Sequence, residues 1–149
     1  MFELTPAQSA IADAIGRICA KYDDAYWLAR DTDHRFPDEF VRDIAAGGYL
    51  GIAMPEAVGG AGLGVTEAAV MMHRIASSGG GMSGVSAVHI NVFGPHPIAV
   101  FGTEQQKARM LPPLIKGETR CCFGVTEPDA GLDTSAIKTR AERAGNQWL

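Results

Sequence analysis

The stretch FGVTEPDAGLD, Phe123 to Asp133, marks a change of character in the chain. Upstream of it apolar residues recur at helical spacing; from Arg120 onward they alternate. Between Arg120 and Thr126, Cys121, Phe123 and Val125 fall on one side of an extended segment, and Cys122, Gly124 and Thr126 on the other. A turn at Pro128 to Gly131 comes next, then a second alternating run from Ile137 to Arg143. Gly145-Asn146 predicts a hairpin turn into Trp148-Leu149. Two and a half strands make a marginal sheet by themselves.

Such a strand and turn have a chemical use. The backbone N–H and C=O groups can bond the edge of a flat polar ring, and the Thr126 hydroxyl adds one more partner. A tight turn of small residues lets main-chain N–H groups reach a phosphate. Many exposed strand–turn units would serve equally well. Pattern alone therefore favours ordinary packing.

The upstream part reads as helix throughout. Thr5-Pro6-Ala7-Gln8 is a helix start, with Thr5 as cap and Gln8 reaching back. Ile11, Ala14, Ile15, Ile18, Cys19 and Tyr22 continue it as one apolar stripe. A second helix starts at Pro37, buries Phe40, Val41 and Ile44, and stops at Gly47-Gly48. MPEAVGGAGLG, Met54 to Gly64, is a loop. Ala68, Met71, Met72, Ile75 and Ala76 restore the helical period. GGGMSG, Gly79 to Gly84, is a break before a helix carrying Val85, Val88, His89, Val92 and Phe93. Gly94-Pro95 ends that helix, and a short one opens at Pro97. Thr103-Glu104-Gln105-Gln106 is a second capping box, and Pro112-Pro113 and Gly117 punctuate the remainder of the helical part.

Composition narrows the function classes. The 149 residues suffice for one domain, burying roughly 68–70% of its unfolded surface. A net charge of −4 gives no electrostatic basis for binding nucleic acid or an anionic membrane. No apolar run approaches the ~20 residues of a membrane span, and the N-terminus lacks secretory-signal character. The three cysteines, two of them adjacent, read as reduced thiols of a cytoplasmic protein. No Cys/His spacing suits zinc.

Gly79, Gly81 and Gly84 match G-x-G-x-x-G, and Glu104 lies about twenty residues on, as a dinucleotide fingerprint requires. That fingerprint must follow a strand, whereas the preceding segment has helical period, so a helix-connecting loop is the reading. His73 and His89 sit among apolar helical residues and read as core or half-buried histidines.

The stretch FGVTEPDAGLD closely resembles the Thr-Glu-Pro-x-Ala-Gly-Ser-Asp signature of the acyl-CoA dehydrogenases. MPEAVGGAGLG resembles that family's Pro-Glu-x-x-Gly-Gly loop. GPHPIAVFGTEQQKARMLPPLIKGE, Gly94 to Glu118, is similar to the segment ahead of the signature. The resemblance runs in order from near residue 1 to Leu149. It implies a mainly α fold: an N-terminal helical domain over 1–117, then the first antiparallel strands of an incomplete β-domain over 118–149.

The resemblance also implies FAD as cofactor, bordered by Phe123, Val125 and Thr126, with the turn at Gly131 and Leu132 facing its pyrophosphate. Leu132 stands where the family usually carries Ser, and Asp129 where it often has Gly. Val85, Ser86, His89 and Phe93 become lining residues for the acyl chain of an acyl-CoA substrate. His89 there favours a polar, bulky or branched acyl group. No catalytic residue and no metal site is assigned within the chain, because the family's base carboxylate belongs to a C-terminal bundle.

The resemblance extends to a parent enzyme that oxidises an acyl-CoA to its 2,3-enoyl-CoA. That enzyme would be a homo-oligomer that passes electrons to a soluble acceptor, with the present chain inactive and truncated inside the β-domain. A flavin-dependent oxygenase or oxidase of the same superfamily and a non-catalytic helical interaction module are the alternatives.

Overall fold

The computed structural model describes residues 3–149. Helix α1, Pro6–Cys19, starts as its sequence dictates: the Thr5 hydroxyl accepts the Gln8 N–H at 3.2 Å, and Gln8 Oε1 accepts the Thr5 N–H at 3.0 Å. The same Gln8 side chain donates to Glu67 Oε1 at 2.9 Å. Glu67 Oε2 accepts the Gly64 N–H at 3.1 Å, at the start of α4, Val65–Ala76. One glutamine thus caps its own helix and ties it to the neighbour along which it packs.

Helix α2, Asp24–Asp33, was not legible in the sequence. It buries one residue, Trp27, and so has no apolar stripe to detect. It is held at one end by Asp23, which accepts the Tyr26 N–H at 2.9 Å, and closes at His34 in the left-handed region (φ 52°). Trp27, Tyr22, Tyr26 and Phe40 meet edge to face at centroid separations of 4.8–5.4 Å.

Helix α3, Asp38–Ala46, buries Phe40, Val41 and Ile44 as expected. Together with Ile15, Met71, Ile75 and Val88 these residues make the main core. Helix α5, Gly81–Phe93, begins four residues earlier than its glycines suggest. Gly81 to Gly84 form its first turn instead of a break. A side chain at Gly80 would place its Cβ 2.6 Å from the Trp27 indole, so the glycines there allow α5 to approach Trp27. No strand precedes them; α4 does.

Helix α6 spans His96–Phe101 and α7 spans Glu104–Ile115, the latter opened by the Thr103–Gln106 capping box. Pro112 and Pro113 lie inside α7 and do not end it. A proline interior to a helix costs about 3 kcal/mol. Burial of Leu111, Leu114 and Ile115 just around them offsets that cost. Leu111 and Ile115 pack with Met54 as a second, smaller core.

After α7 the chain departs from the expected strands. Residues 120–126 run without regular structure, and 137–143 enter a strand only at the last position. The sheet among the described residues is β1, Arg143–Ala144, paired antiparallel with β2, Gln147–Trp148. Alternation supplies faces, but a ladder needs a neighbouring strand, and none of the described residues pairs with 120–126. The hairpin turn is where the sequence places it, with Gly145 at φ 62°. The fold is mainly α, ending in a short antiparallel pair. No helix among the described residues is long and apolar enough to cross a membrane.

Candidate functional site

The segment after α7 is seated on the end of α5. Asn91, on the last turn of α5, accepts the Cys121 N–H through Oδ1 at 2.9 Å. The Cys121 sulfur lies over Gly94, where an added Cβ would come within 2.7 Å of it. Two residues on, the Phe123 ring meets the Phe93 ring edge to face, centroids 5.4 Å apart at 74°. On the other side of Phe93 lies His89, ring centroids 4.5 Å apart. The structure therefore brings together three of the residues singled out in the sequence: His89, Phe93 and Phe123.

The Phe93 and Phe123 rings, though not His89, line a cleft of about 530 Å³. Leu63, Val65, Ala68, Phe93, His96 and Phe123 contribute to its lining. That volume lies in the ~300–1,000 Å³ range of small-molecule sites. A larger cleft, about 600 Å³, opens near Trp27, Arg35 and Asp31, but it is flanked by charges of both signs and none of the sequence candidates reaches it. The apolar cleft has the chemistry of a site for a greasy or aromatic group.

Beside Phe123 the backbone is free. The N–H and C=O groups of Phe123, Gly124, Val125 and Thr126 make no hydrogen bond to any other described residue. A row of unpaired main-chain donors and acceptors next to an aromatic wall has the groups that can bond the edge of a flat, polar ring. Phe123 keeps 56% of its surface exposed.

Ser86 and His89 are exposed on α5, while Val85 is half-buried and packs against the main core. Neither His73 nor His89 is a core or half-buried histidine; both are exposed, because the helix faces that bury Met71, Ile75, Val88 and Val92 exclude them. Val125 is half-buried, Thr126 and Gly131 are exposed, and Leu132 projects fully into solvent.

Glu127 had no assigned role in the sequence. Its two carboxylate oxygens accept the Lys138 N–H at 2.9 Å and the Thr139 N–H at 2.7 Å. Those bonds, the Lys138 one first, hold its carboxyl below the usual range. Glu127 thereby fastens the turn to the next segment, and Asp129 meets Lys138 at 3.5 Å. The only signal for this was the glutamate of Thr-Glu-Pro itself, whose partners lie eleven and twelve residues away. Cys19, Cys121 and Cys122 are free thiols, and no group of metal-ligating side chains is found among the described residues.

Comparison with known proteins bears on the family and the fold. The family model described as acyl-CoA dehydrogenase, N-terminal domain, matches residues 5–118. This chain belongs to the acyl-CoA dehydrogenase family. It is 34% identical over 146 residues to acyl-CoA dehydrogenase FadE12 of Mycobacterium tuberculosis, covering 95% of this chain and 36% of that protein. It superposes on a glutaryl-CoA dehydrogenase solved as its glutaryl-CoA complex with a TM-score of 0.85 and 29% identity, covering 100% of this chain and 38% of that one. An acyl-CoA dehydrogenase from Bacillus anthracis complexed with FAD gives a TM-score of 0.77 at 25% identity, over 93% and 24% of the two chains. The chain thus spans little more than a third of the length of the curated relative.

Proposed function

We propose that this chain forms the helical wall and the flavin-side backbone ledge of an FAD-dependent acyl-CoA dehydrogenase. The observation that carries the reading is the unpaired backbone of Phe123 to Thr126 lying against the Phe93 side of an apolar cleft. When bound, FAD supplies the two-electron acceptor for oxidation of the Cα–Cβ bond of an acyl thioester. The chain's own residues hold and orient. The backbone of Phe123, Val125 and Thr126 borders the ring, the Thr126 hydroxyl adds a bond, and the turn at Gly131 and Leu132 approaches the pyrophosphate.

On the substrate side, Phe93 forms the apolar end of a track that continues along α5 through His89 and Ser86. Both polar residues are exposed on that helix, so a polar, bulky or branched acyl group suits the track better than a plain chain. Val85 supports it from the core side. No carboxylate lines the Phe93–Phe123 cleft. The family resemblance assigns the base that removes the α-proton to a C-terminal segment outside this chain, and the chain alone is expected to hold FAD weakly and to show no turnover.

The same reading divides the chain into a helical domain, 1–117, and the start of a β-domain, 118–149, in line with a family match ending at residue 118. It places the whole protein in the cytoplasm as a homo-oligomer that delivers electrons to a soluble acceptor.

The test is a chimera in which this chain replaces the matching segment of the mycobacterial relative. The expected product is a yellow protein that reduces an artificial electron acceptor when given acyl-CoA, whereas the 149-residue chain does neither. A folded chimera without flavin would contradict the proposal.

A further inference from the structure

A narrow cavity of about 140 Å³ lies where α3, α5 and the turn after α7 meet, lined in part by Asp38, Arg42, Asn91, Lys116 and Arg120. Asn91 is the buried polar side chain of the chain's described residues, 4% exposed. Its Oδ1 is committed to the Cys121 N–H. Only an oxygen can accept from that N–H, so the orientation of the amide is fixed and its NH₂ is turned away from Cys121. No described residue accepts a hydrogen bond from that NH₂. The buried side-chain atom left without a partner among the described residues is Arg30 Nε, so the Asn91 NH₂ keeps contact with solvent at the cavity wall, where an entering acceptor can meet it.

The charge around the cavity has the matching sign. Arg42, Lys116 and Arg120 stand against a single carboxylate, Asp38. Asp38 is already engaged by Arg120, whose guanidinium is also stacked 4.0 Å over the Phe36 ring. Arg42 and Lys116 form no ion pair with any described residue. Helix α3 begins at Asp38 without a side-chain cap, so its positive end lies on the same side. The backbone after α7 is fixed by Lys116 N–H to Pro112 O at 3.0 Å and by Gly117 in a left-handed turn (φ 71°).

We propose that this cavity binds a tetrahedral oxyanion, namely phosphate, either as the free ion or as the terminal phosphoryl group of a larger ligand. Its volume is well under the ~300 Å³ of a site for a drug-sized molecule, so it takes one small group and no more. A phosphate presents oxygens in four directions, enough to meet both the Asn91 amide and the cations that line the cavity with it.

The experiment is an NMR titration of the ¹⁵N-labelled chain at low ionic strength with inorganic phosphate, and in a second arm with glycerol 3-phosphate. A saturable shift of the Asn91 side-chain NH₂ is expected. Replacing both free cations (R42A with K116A) should weaken affinity at least tenfold. Asn91→Asp keeps an acceptor for the Cys121 N–H but adds a carboxylate to the cavity lining, and should weaken it as much. Saturation by inorganic phosphate only assigns the free ion; saturation by both assigns a phosphoryl group. No saturable shift, or an affinity that neither variant changes, overturns the proposal.

Discussion

Phe93 and Phe123 meet edge to face at 5.4 Å, joining the last turn of α5 to a segment thirty residues further along the chain. With the Asn91–Cys121 bond, this contact is what seats the irregular segment 120–126 on the helical body. An aromatic pair of this kind is worth about 0.5–1.5 kcal/mol beyond its buried area. Phe123→Ala should therefore lower the melting temperature by a few degrees and speed amide exchange at Gly124 and Val125, while α1 to α4 stay protected. Differential scanning calorimetry with hydrogen exchange checks both parts.

The helix caps give a second prediction. Thr5 and Thr103 each accept the N–H of a glutamine three residues on, at 3.2 Å. Removing a Thr cap costs about 1 kcal/mol. Thr5→Ala should cost somewhat more than Thr103→Ala in a denaturant titration, because Gln8 also carries the bond to Glu67 and loses its anchor.

Gly80 tests the reading of the glycine run. Its missing side chain leaves room for Trp27, against which a Cβ would collide at 2.6 Å. Gly80→Ala should destabilise the chain by about 1–3 kcal/mol through overpacking. The fluorescence of the buried Trp27, read in a Trp148→Phe background, should shift with it. A phosphate-cradle role for these glycines would instead leave stability unchanged.

Stability should fall at both ends of the pH scale. Asp43 accepts from Lys21 Nζ at 2.8 Å, and bonds from Lys21 and Tyr22 hold its carboxyl below the usual range. A depressed carboxyl contributes fully above its unfolded value near 3.9 and is lost as pH falls through the folded one. Tyr26 donates to Glu39 at 2.9 Å, and burial, then that bond, push its hydroxyl up to about 12. Its contribution is complete below about pH 10 and disappears as pH rises toward 12. Melting temperature is expected to be flat between about pH 5 and 9. Asp43→Asn should weaken the acid limb and Tyr26→Phe the alkaline one.

The sequence revealed those elements whose burial is periodic and whose ends are chemically marked. α1 carries both signals; α3 was legible through its buried residues and its glycine stop, and α7 through its capping box. α2 carries neither an apolar stripe nor a strong stop, since Trp27 is its one buried residue and Tyr26 packs beside it only partly buried. The strands expected at 120–126 and 137–143 failed for a different reason: alternation describes one segment, while a strand exists only with its partner. At the site, Phe93, His89 and Phe123 were legible through resemblance. The seat that positions them, Asn91 on Cys121 and Glu127 on Lys138 and Thr139, joins residues too far apart in sequence for pattern to reveal.

Leu132 offers a direct probe of the turn. It is fully exposed and packs against nothing, so Leu132→Ser should leave the melting temperature unchanged. In the chimera with the mycobacterial relative the same change should tighten FAD by about tenfold, as a hydroxyl bonded to a charged phosphate is worth roughly 1.5–3 kcal/mol. Flavin fluorescence titration reads the difference.

The most direct measurement concerns the ledge itself. Amide hydrogen exchange at Phe123, Val125 and Thr126 in the chimera should be fast without flavin and slow at least tenfold when FAD is added. Flavin that binds while those amides exchange as before would contradict a role for this backbone in holding the ring.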